Sequence, residues 1–221
     1  DIGCWNGGMS FACESLGAEV VAIDVMPAST SHFDKLHNVL NSKVSFAQAS
    51  CYQLDEKQFG KFDICIFNGV FYHLKHPVLA LEKINSVMNP EGILLGSGTS
   101  LNGGLWDDHS ENNADVRKIA NEASISGFVR TSFLGDRTNW WIPSQQCVSA
   151  WLHRAGFKES LIKTNLSESN DGKTRSVCRF IAEKISLPDE EFPHDIGGPK
   201  TEAKLYSDKV DFISNFEQPN V

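Results

Sequence analysis

Short β-branched runs alternate with amphipathic segments through the first hundred residues, and this alternation restricts the fold more than any other feature. The run at 19–24 is Glu-Val-Val-Ala-Ile-Asp, and the run at 62–68 is Phe-Asp-Ile-Cys-Ile-Phe-Asn. Such runs predict strands buried on both faces of a parallel sheet. Apolar residues at helical spacing lie between and after them, as at 77–88, which a proline opens. The sequence therefore predicts an α/β fold with a doubly wound sheet.

The predicted elements are separated by glycine-containing or polar turns. Strands are predicted at 1–3 (the end of a strand whose beginning would lie before residue 1), 19–24, 43–47, 62–68, 93–96, 158–166 and 176–184. Helices are predicted at 9–16, 31–40, 77–88, 114–123 and 143–155, and a turn is predicted at 89–92. The last two strands are expected to form an antiparallel hairpin.

The regular pattern lapses between about residues 99 and 138, which are rich in Asn, Asp, Ser and Gly. An insertion of this length in a compact domain favours a lid or a substrate-binding segment. We expect one domain over 1–184 that contains this insertion. Residues 185–221 are rich in proline and acidic residues and are expected to form a C-terminal arm or tail.

Composition limits the functional classes. The chain has 221 residues and a formal net charge of −8, which argues against a partner bound mainly through phosphates. No apolar run approaches the roughly 20 residues that span a bilayer, so no membrane partner is expected. The six cysteines are scattered, with no Cys-x-x-Cys pair, which favours reduced thiols in a cytoplasmic protein over disulfides or a zinc site.

The stretch Asp-Ile-Gly-Cys-Trp-Asn-Gly-Gly at 1–8 predicts a tight turn from strand into helix. Glycine lets the backbone turn there and lets a ligand approach without meeting a Cβ atom. Gly3 and Gly8 fit a Gly-x-Gly-x-x-Gly dinucleotide fingerprint, but Trp5 stands where its middle glycine would touch a pyrophosphate. Trp5 therefore argues against a nicotinamide cofactor. A ligand-free glycine turn is the plainer alternative.

Asp24 ends the second predicted strand, 21 residues after Gly3. A carboxylate at this place can accept hydrogen bonds from both hydroxyls of a ribose. An acidic residue at a strand end is common by itself. Combined with the glycine turn at this spacing, it indicates a site for an adenosyl ribose.

These motifs resemble a known family. Residues 1–8 and the segment Gly-Ala-Glu-Val-Val-Ala-Ile-Asp at 17–24 resemble motif I and its sequel in class I S-adenosylmethionine-dependent methyltransferases. Further segments resemble a subgroup related to the tRNA wobble-uridine carboxymethyltransferase, which uses carboxy-S-adenosylmethionine. They are Ser-Cys-Tyr-Gln-Leu at 50–54, Phe-Asp at 62–63, Asn-Gly-Val-Phe-Tyr-His-Leu at 68–74 and Asn-Trp-Trp-Ile-Pro-Ser at 139–144.

The resemblance covers about residues 1–184. It implies a Rossmann-like, mainly parallel seven-stranded sheet with a final antiparallel strand, a topology that dinucleotide dehydrogenases generally lack. It also implies S-adenosylmethionine as cofactor and S-adenosylhomocysteine as product.

The resemblance assigns cofactor-binding residues by position. Gly3 and Gly7 would flank the methionine end, and Asp24 would hold the ribose. Asn68 and Gly69 would face the sulfonium from the carboxyl end of the fourth strand. The full set of expected cofactor contacts is Asp1, Gly3, Cys4, Trp5, Gly7, Asp24, Val25, Ser50, Cys51, Tyr52, Asn68 and Gly69, with Cys51 and Tyr52 near the adenine. Many relatives carry an acidic residue near the last pair, and this chain does not.

Tyr72 and His73 are the predicted catalytic residues. Both follow the fourth strand at the switch point of the sheet, where open α/β sheets bind ligands. His73 could act as a general base, since an imidazole titrates near neutrality; capping the helix at Pro77 is an equally weighted alternative. Tyr72 matches the tyrosine that contacts the transferred group in the carboxymethyltransferase. His73 and His76 have a spacing compatible with one metal, but no third ligand is apparent and no metal site is predicted.

Three further residues are predicted to contact the substrate. Trp140 and Trp141 could form an aromatic wall, although core packing is the more common role of a tandem Trp before a helix. Arg137 could meet an anionic group. The arginine that the carboxymethyltransferase uses in its last strand could correspond to Arg175 or Arg179.

Three functions stay open at this point. The leading one is methyl transfer from S-adenosylmethionine to a small-molecule or carrier- or sugar-linked acceptor. The second is modification of tRNA with a methyl or carboxymethyl group, for which carboxy-S-adenosylmethionine would be the cofactor and a basic surface patch would be needed. The third is a non-catalytic cofactor-binding or scaffold domain of a larger protein.

Overall fold

The computed structural model describes residues 1–101, 118, 122–133, 135–168 and 174–185. Its helices are α1 (Gly8–Ser15), α2 (Ala28–Ser31), α3 (Phe33–Leu40), α4 (Glu56–Phe59), α5 (Pro77–Ser86) and α6 (Gln145–Arg154). Its strands are β1 (Val21–Asp24), β2 (Ser45–Gln48), β3 (Phe62–Asn68), β4 (Met88–Thr99), β5 (Ser126–Phe128), β6 (Trp141–Pro143), β7 (Phe157–Glu168) and β8 (Thr174–Lys184). Short 3₁₀ turns follow β2 and β3, at Cys51–Gln53 and Phe71–His73.

Residues 1–3 lie at the centre of the main sheet. On one side β1 pairs in parallel with β2, and on the other β3 pairs in parallel with β4. The N–H of Ile2 donates to the Ile66 carbonyl at 2.9 Å, and the N–H of Gly3 donates to the Ile23 carbonyl at 2.8 Å. Residues 1–3 therefore join the two pairs into one sheet.

β8 completes the sheet as its antiparallel strand. It pairs antiparallel with both β4 and β7, which gives the order β2, β1, residues 1–3, β3, β4, β8 and β7. The predicted mainly parallel sheet with a final antiparallel strand is confirmed. The predicted hairpin is also confirmed, with strands longer than expected.

The helices cover the sheet on two faces. Adjacent strand residues point to opposite faces, and Ala22 and Ile23 of β1 belong to two different buried clusters. The smaller cluster joins Ala22 to Phe11 of α1 and Phe33 of α3. The larger one joins Ile23 to side chains of β3, β4, β8, α5 and α6, including Phe67, Leu94, Phe180, Ile84 and Leu152.

One part of the sheet exposes apolar side chains. Ile64 and Ile93 are register partners, with 56% and 36% of their surfaces exposed, and Leu161 of β7 is 41% exposed. The helices of the described part of the chain thus leave some apolar surface of β3, β4 and β7 open. None of the described helices has the length and apolarity needed to cross a membrane.

Several predicted boundaries differ from the structure. The predicted helix at 31–40 corresponds mainly to α3, while its first residue, Ser31, ends α2. His32 separates the two helices, because it adopts a left-handed φ of 62°. The predicted helix at 143–155 begins only at Gln145. Pro143 lies in β6, and the Ser144 hydroxyl caps α6 by accepting the N–H of Cys147 at 3.1 Å.

The predicted turn at 89–92 falls inside β4. Met88 pairs with Phe62 and Ile93 pairs with Ile64, so the residues between them are accommodated as a register shift. The antiparallel pair of β5 and β6 was not predicted. The predicted helix at 114–123 falls almost wholly outside the described residues.

Gly7 gives the first test of the fold. Its φ is +82°, and a Cβ atom added there would lie 2.6 Å from the ring of Phe33 and 2.7 Å from that of Phe11. Gly17 has a similar φ of +93° but no heavy atom within 4 Å of the corresponding position. We expect Gly7→Ala to lower the free energy of unfolding by about 1–3 kcal/mol more than Gly17→Ala, since only the former overpacks the core. Urea unfolding followed by circular dichroism measures both, and equal losses would contradict this packing.

Candidate functional site

The carboxylate of Asp24 joins two loops at the carboxyl end of the sheet. Its Oδ2 accepts the backbone N–H of Trp5 at 2.8 Å, and its Oδ1 accepts that of Met26, also at 2.8 Å. The residue is only 7% exposed. Because Trp5 lies in the glycine turn and Met26 follows β1, the carboxylate fixes this turn against the end of β1.

The glycine turn is also held from its other side. The carboxylate of Asp1 accepts the Ser10 hydroxyl of α1 at 2.7 Å. Gly3 has φ +70°, and a Cβ atom there would lie 2.4 Å from Cγ2 of Val70. A glycine at this position therefore lets the turn approach the loop after β3.

Asn68 is the last residue of β3, and Gly69 begins that neighbouring loop. Asn68 Oδ1 accepts the Ser97 hydroxyl at 3.0 Å, and the N–H of Gly69 donates to the Ser97 carbonyl at 2.7 Å. The structure thus brings Gly3, Asp24 and Asn68 to adjacent strand ends, where parallel sheets bind ligands. Ser97 was not predicted and orders the Asn68 amide.

Exposed apolar residues lie in the two segments that the Asp24 carboxylate joins. Trp5, Val25 and Met26 are 54%, 61% and 38% exposed, which is unusual for large apolar residues so close to a buried carboxylate. Cys4 differs from its neighbour Trp5, because its side chain is buried in the smaller apolar cluster.

The segment predicted to contact adenine is ordered by its own hydrogen bonds. The Ser50 hydroxyl accepts the N–H of Tyr52 at 3.3 Å, and the N–H of Ser50 donates to Gln53 Oε1 at 2.8 Å. Cys51 is buried in the larger core cluster. The hydroxyl of Tyr52 accepts the N–H of His76 at the start of α5, at 3.0 Å. The side chains of Cys51 and Tyr52 thus have structural contacts, and Ser50 and the local backbone are what this segment offers a ligand.

Residues 71–75 and 136–141 form a second part of the site, which we call the aromatic junction. The N–H of Trp140 donates to the Tyr72 carbonyl at 2.8 Å, and the indole N–H of Trp141 donates to the Lys75 carbonyl at 3.2 Å. The Lys75 ammonium lies 4.9 Å from the centre of the Trp140 ring. The structure therefore brings the Tyr-His and Trp-Trp segments together, as their shared role in the prediction requires.

The side chains of Tyr72, His73, Trp140 and Trp141 in the junction are half-buried. The rings of Tyr72 and His73 have centroids 4.1 Å apart. Trp140 and Trp141 are absent from both core clusters and meet the exposed ring of Phe128 edge-on, at 6.1 and 5.0 Å. This placement favours a surface-facing aromatic wall over simple core packing for the tandem Trp.

His73 has a partner that the sequence did not indicate. Its Nδ1 lies 2.9 Å from the hydroxyl of Thr138, and that hydroxyl donates to Asp136 Oδ1 at 2.6 Å. Asp136 and Thr138 belong to a short Asp-Arg-Thr segment directly before the Asn-Trp-Trp motif. This position is the only sequence signal that could have indicated the contact with His73.

The remaining predicted residues are less closely involved. Arg137, which lies between Asp136 and Thr138 in the sequence, is exposed. Arg179 is exposed on β8, opposite Ser97 in register. The side chain of Arg175 is outside the described part. Among the described residues no group of three His, Cys, Asp or Glu side chains could hold a metal ion.

Solved structures share this fold. An S-adenosylmethionine-dependent methyltransferase from Methanosarcina mazei aligns with a TM-score of 0.59 and 15% identity, covering 85% of this chain and 92% of its own. The 1,6-didemethyltoxoflavin-N1-methyltransferase of Burkholderia thailandensis, solved with its substrate and S-adenosylhomocysteine, aligns with a TM-score of 0.58 and 14% identity, covering 84% and 70%. The fold is that of class I S-adenosylmethionine-dependent methyltransferases.

Sequence comparison narrows the resemblance. Residues 1–96 match the family described as a methyltransferase domain. The tRNA U34 carboxymethyltransferase of Campylobacter jejuni is 23% identical over 194 residues, which cover 86% of this chain and 60% of the relative. That of Campylobacter hominis is 26% identical over 174 residues, covering 77% and 54%. The chain thus spans little more than half the length of these relatives. The chain resembles class I methyltransferases of this subgroup, as the sequence predicted.

Thiol reactivity tests the burial of the site cysteines. Burial raises the pKa of Cys4 and Cys51 to about 11, and does the same for three other thiols, Cys65, Cys147 and Cys178. With a pKa of 11, about one thiol in a thousand is ionised at pH 8, and the thiolate is the reactive form. Cys13 is only half-buried. We expect iodoacetamide at pH 8 to label Cys13 first and the other five only after unfolding, as measured by mass spectrometry. Labelling of Cys4 or Cys51 as fast as Cys13 would contradict the burial.

Proposed function

We propose that this chain transfers a methyl group from S-adenosylmethionine to a small-molecule or carrier- or sugar-linked acceptor. The observation that carries the proposal is the buried Asp24 carboxylate at the end of β1, which is hydrogen-bonded to the glycine turn and lies between two segments with exposed apolar residues. These are the groups that a ribose and an adenine would cover.

The residues present fit this cofactor. A carboxylate offers about four acceptor sites, and the backbone N–H groups of Trp5 and Met26 occupy one on each oxygen of Asp24. The remaining sites can accept the two ribose hydroxyls. The apolar surfaces of Trp5 and Val25 would lose contact with water when an adenosyl group binds, which is favourable.

The chemistry requires a nucleophile placed in line with the sulfonium. The cofactor supplies an electrophilic methyl carbon: the acceptor's lone pair forms the new bond, the carbon–sulfur bond breaks, and its electrons stay on the sulfur of S-adenosylhomocysteine. In the proposal, Asn68 at the end of β3 and Gly69 directly after it lie nearest to the sulfonium. His73 takes the proton that a neutral N–H or O–H acceptor must lose.

The aromatic junction is the proposed acceptor side. Tyr72, Trp140 and Trp141 present half-buried rings, and Lys75 adds a cation over one of them. Such a surface suits a planar or partly apolar acceptor. The net charge of −8 favours a small acceptor over a large polyanion.

A second candidate is transfer of a methyl or carboxymethyl group to tRNA. It is favoured by the tRNA U34 carboxymethyltransferases of Campylobacter that the chain resembles. A wobble base is also planar and could stack on Trp140 or Trp141. Arg137 and Arg179 are exposed cations, and such cations would favour binding of an anionic tRNA.

Calorimetric titration of the purified full chain with S-adenosylhomocysteine tests the cofactor site. We expect micromolar binding by the wild type, roughly −8 kcal/mol. Asp24→Asn keeps the size of the side chain but removes its charge and turns one oxygen into a donor. It should weaken binding at least about tenfold.

Asp63→Asn is the matched control, because this exposed carboxylate accepts the side-chain amide of Asn89 at the other end of β3. It should bind like the wild type. Unchanged affinity in folded Asp24→Asn would contradict the pocket. Absence of binding by the wild type would favour the scaffold alternative.

Cofactor preference separates the two candidate reactions. Competition between S-adenosylmethionine and carboxy-S-adenosylmethionine for the full chain is expected to favour the former. Radiolabel from the methyl group should then enter a small-molecule extract and not total tRNA. Preference for the carboxylated cofactor, with transfer into tRNA, would overturn the small-acceptor proposal in favour of the second candidate.

A further inference from the structure

Three side chains from two distant segments form a hydrogen-bonded chain at the aromatic junction. The Thr138 hydroxyl donates to Asp136 Oδ1 at 2.6 Å, and the Thr138 N–H donates to the same oxygen at 2.7 Å. The same hydroxyl oxygen lies 2.9 Å from Nδ1 of His73, 65 residues earlier in the chain. The carboxylate thus holds Thr138 by two bonds, and Thr138 contacts the ring.

Counting protons along this chain fixes the tautomer of His73. A hydroxyl has one hydrogen, and an ionised carboxylate can only accept. The hydrogen of Thr138 is therefore used on Asp136, and its oxygen can meet Nδ1 of His73 only as an acceptor. Nδ1 must carry the proton. In the neutral ring, Nε2 then has the free lone pair.

We propose that Asp136 and Thr138 are positioning residues that keep His73 in the Nδ1–H tautomer, with Nε2 as its proton-accepting atom. This inference rests on the proposed function only for the use of the tautomer. A general base at the acceptor must have one defined nitrogen unprotonated. Neutral imidazole in water prefers the opposite tautomer, with the proton on Nε2. The two positioning residues thus impose the state in which Nε2 can take a proton.

The arrangement also suits the protonated ring. When Nε2 has accepted a proton, both nitrogens are donors, and the Nδ1–H bond to Thr138 is kept. The positive ring then lies one hydroxyl away from the Asp136 carboxylate. The backbone bond from Trp140 to Tyr72 holds the two segments in this register.

Nitrogen-15 NMR of the histidine rings reads the tautomer directly and needs neither cofactor nor acceptor. The full chain, labelled at histidine, is measured at a pH of about 8. His73→Gln identifies the signal of His73 among the seven histidines. We expect the wild type to show a protonated Nδ1 and an unprotonated Nε2.

Two variants should reverse this pattern in different ways. Thr138→Val keeps the shape of the side chain but removes the hydroxyl, so Nδ1 of His73 loses its acceptor and the proton is expected on Nε2. Asp136→Ala keeps the hydroxyl and frees its hydrogen to donate to Nδ1, so the proton moves to Nε2. Thr138→Ser should retain the wild-type pattern, and Thr131→Val, at an exposed threonine of the same segment, is the matched control.

The outcomes separate this inference from the proposed function. A wild-type ring protonated at Nε2, or a pattern unchanged in both Thr138→Val and Asp136→Ala, would overturn the inference even if the chain binds S-adenosylhomocysteine. The expected pattern in a chain that binds no adenosyl ligand would support the positioning and count against the function. The amide spectrum of each variant verifies folding. Because Thr138 and Asp136 are exposed, both variants are expected to fold.

Discussion

The Asp24 carboxylate makes the interaction on which the glycine turn at the carboxyl end of the sheet depends. It is nearly buried and accepts one backbone N–H from the glycine turn and one from the segment after β1. A buried carboxylate is costly unless such bonds satisfy it. The same two bonds bring the turn and the strand end together, so that one side chain controls the backbone geometry at this edge of the sheet.

The aromatic junction is formed in a different way. Residues 71–75 follow directly from the sheet, whereas residues 136–141 return from the long insertion and attach to them through backbone, indole and hydroxyl contacts. In the proposed function the sheet holds the cofactor, and the end of the insertion completes the surface for an acceptor. This division explains how one fold can serve many acceptors, since the insertion can change without disturbing the strand ends.

The sequence predicted the parts of this arrangement that depend on local pattern. The strand at 62–68 was clear because a buried parallel strand needs a continuous apolar run, and Asp24 was clear because it ends such a run. His32 was not recognised as a break, since a left-handed residue other than glycine leaves no pattern. The contact of Thr138 with His73 could not be predicted, because it joins residues 65 positions apart through the return of an irregular segment.

A crystal structure of the full chain with S-adenosylhomocysteine tests the central claim most directly. We expect both ribose hydroxyls to lie within about 3 Å of the Asp24 carboxylate. We also expect Trp5 or Val25 to contact the adenosyl group and the sulfur to face Asn68. A nucleoside bound elsewhere on the sheet, or at this edge without contact to Asp24, would contradict it.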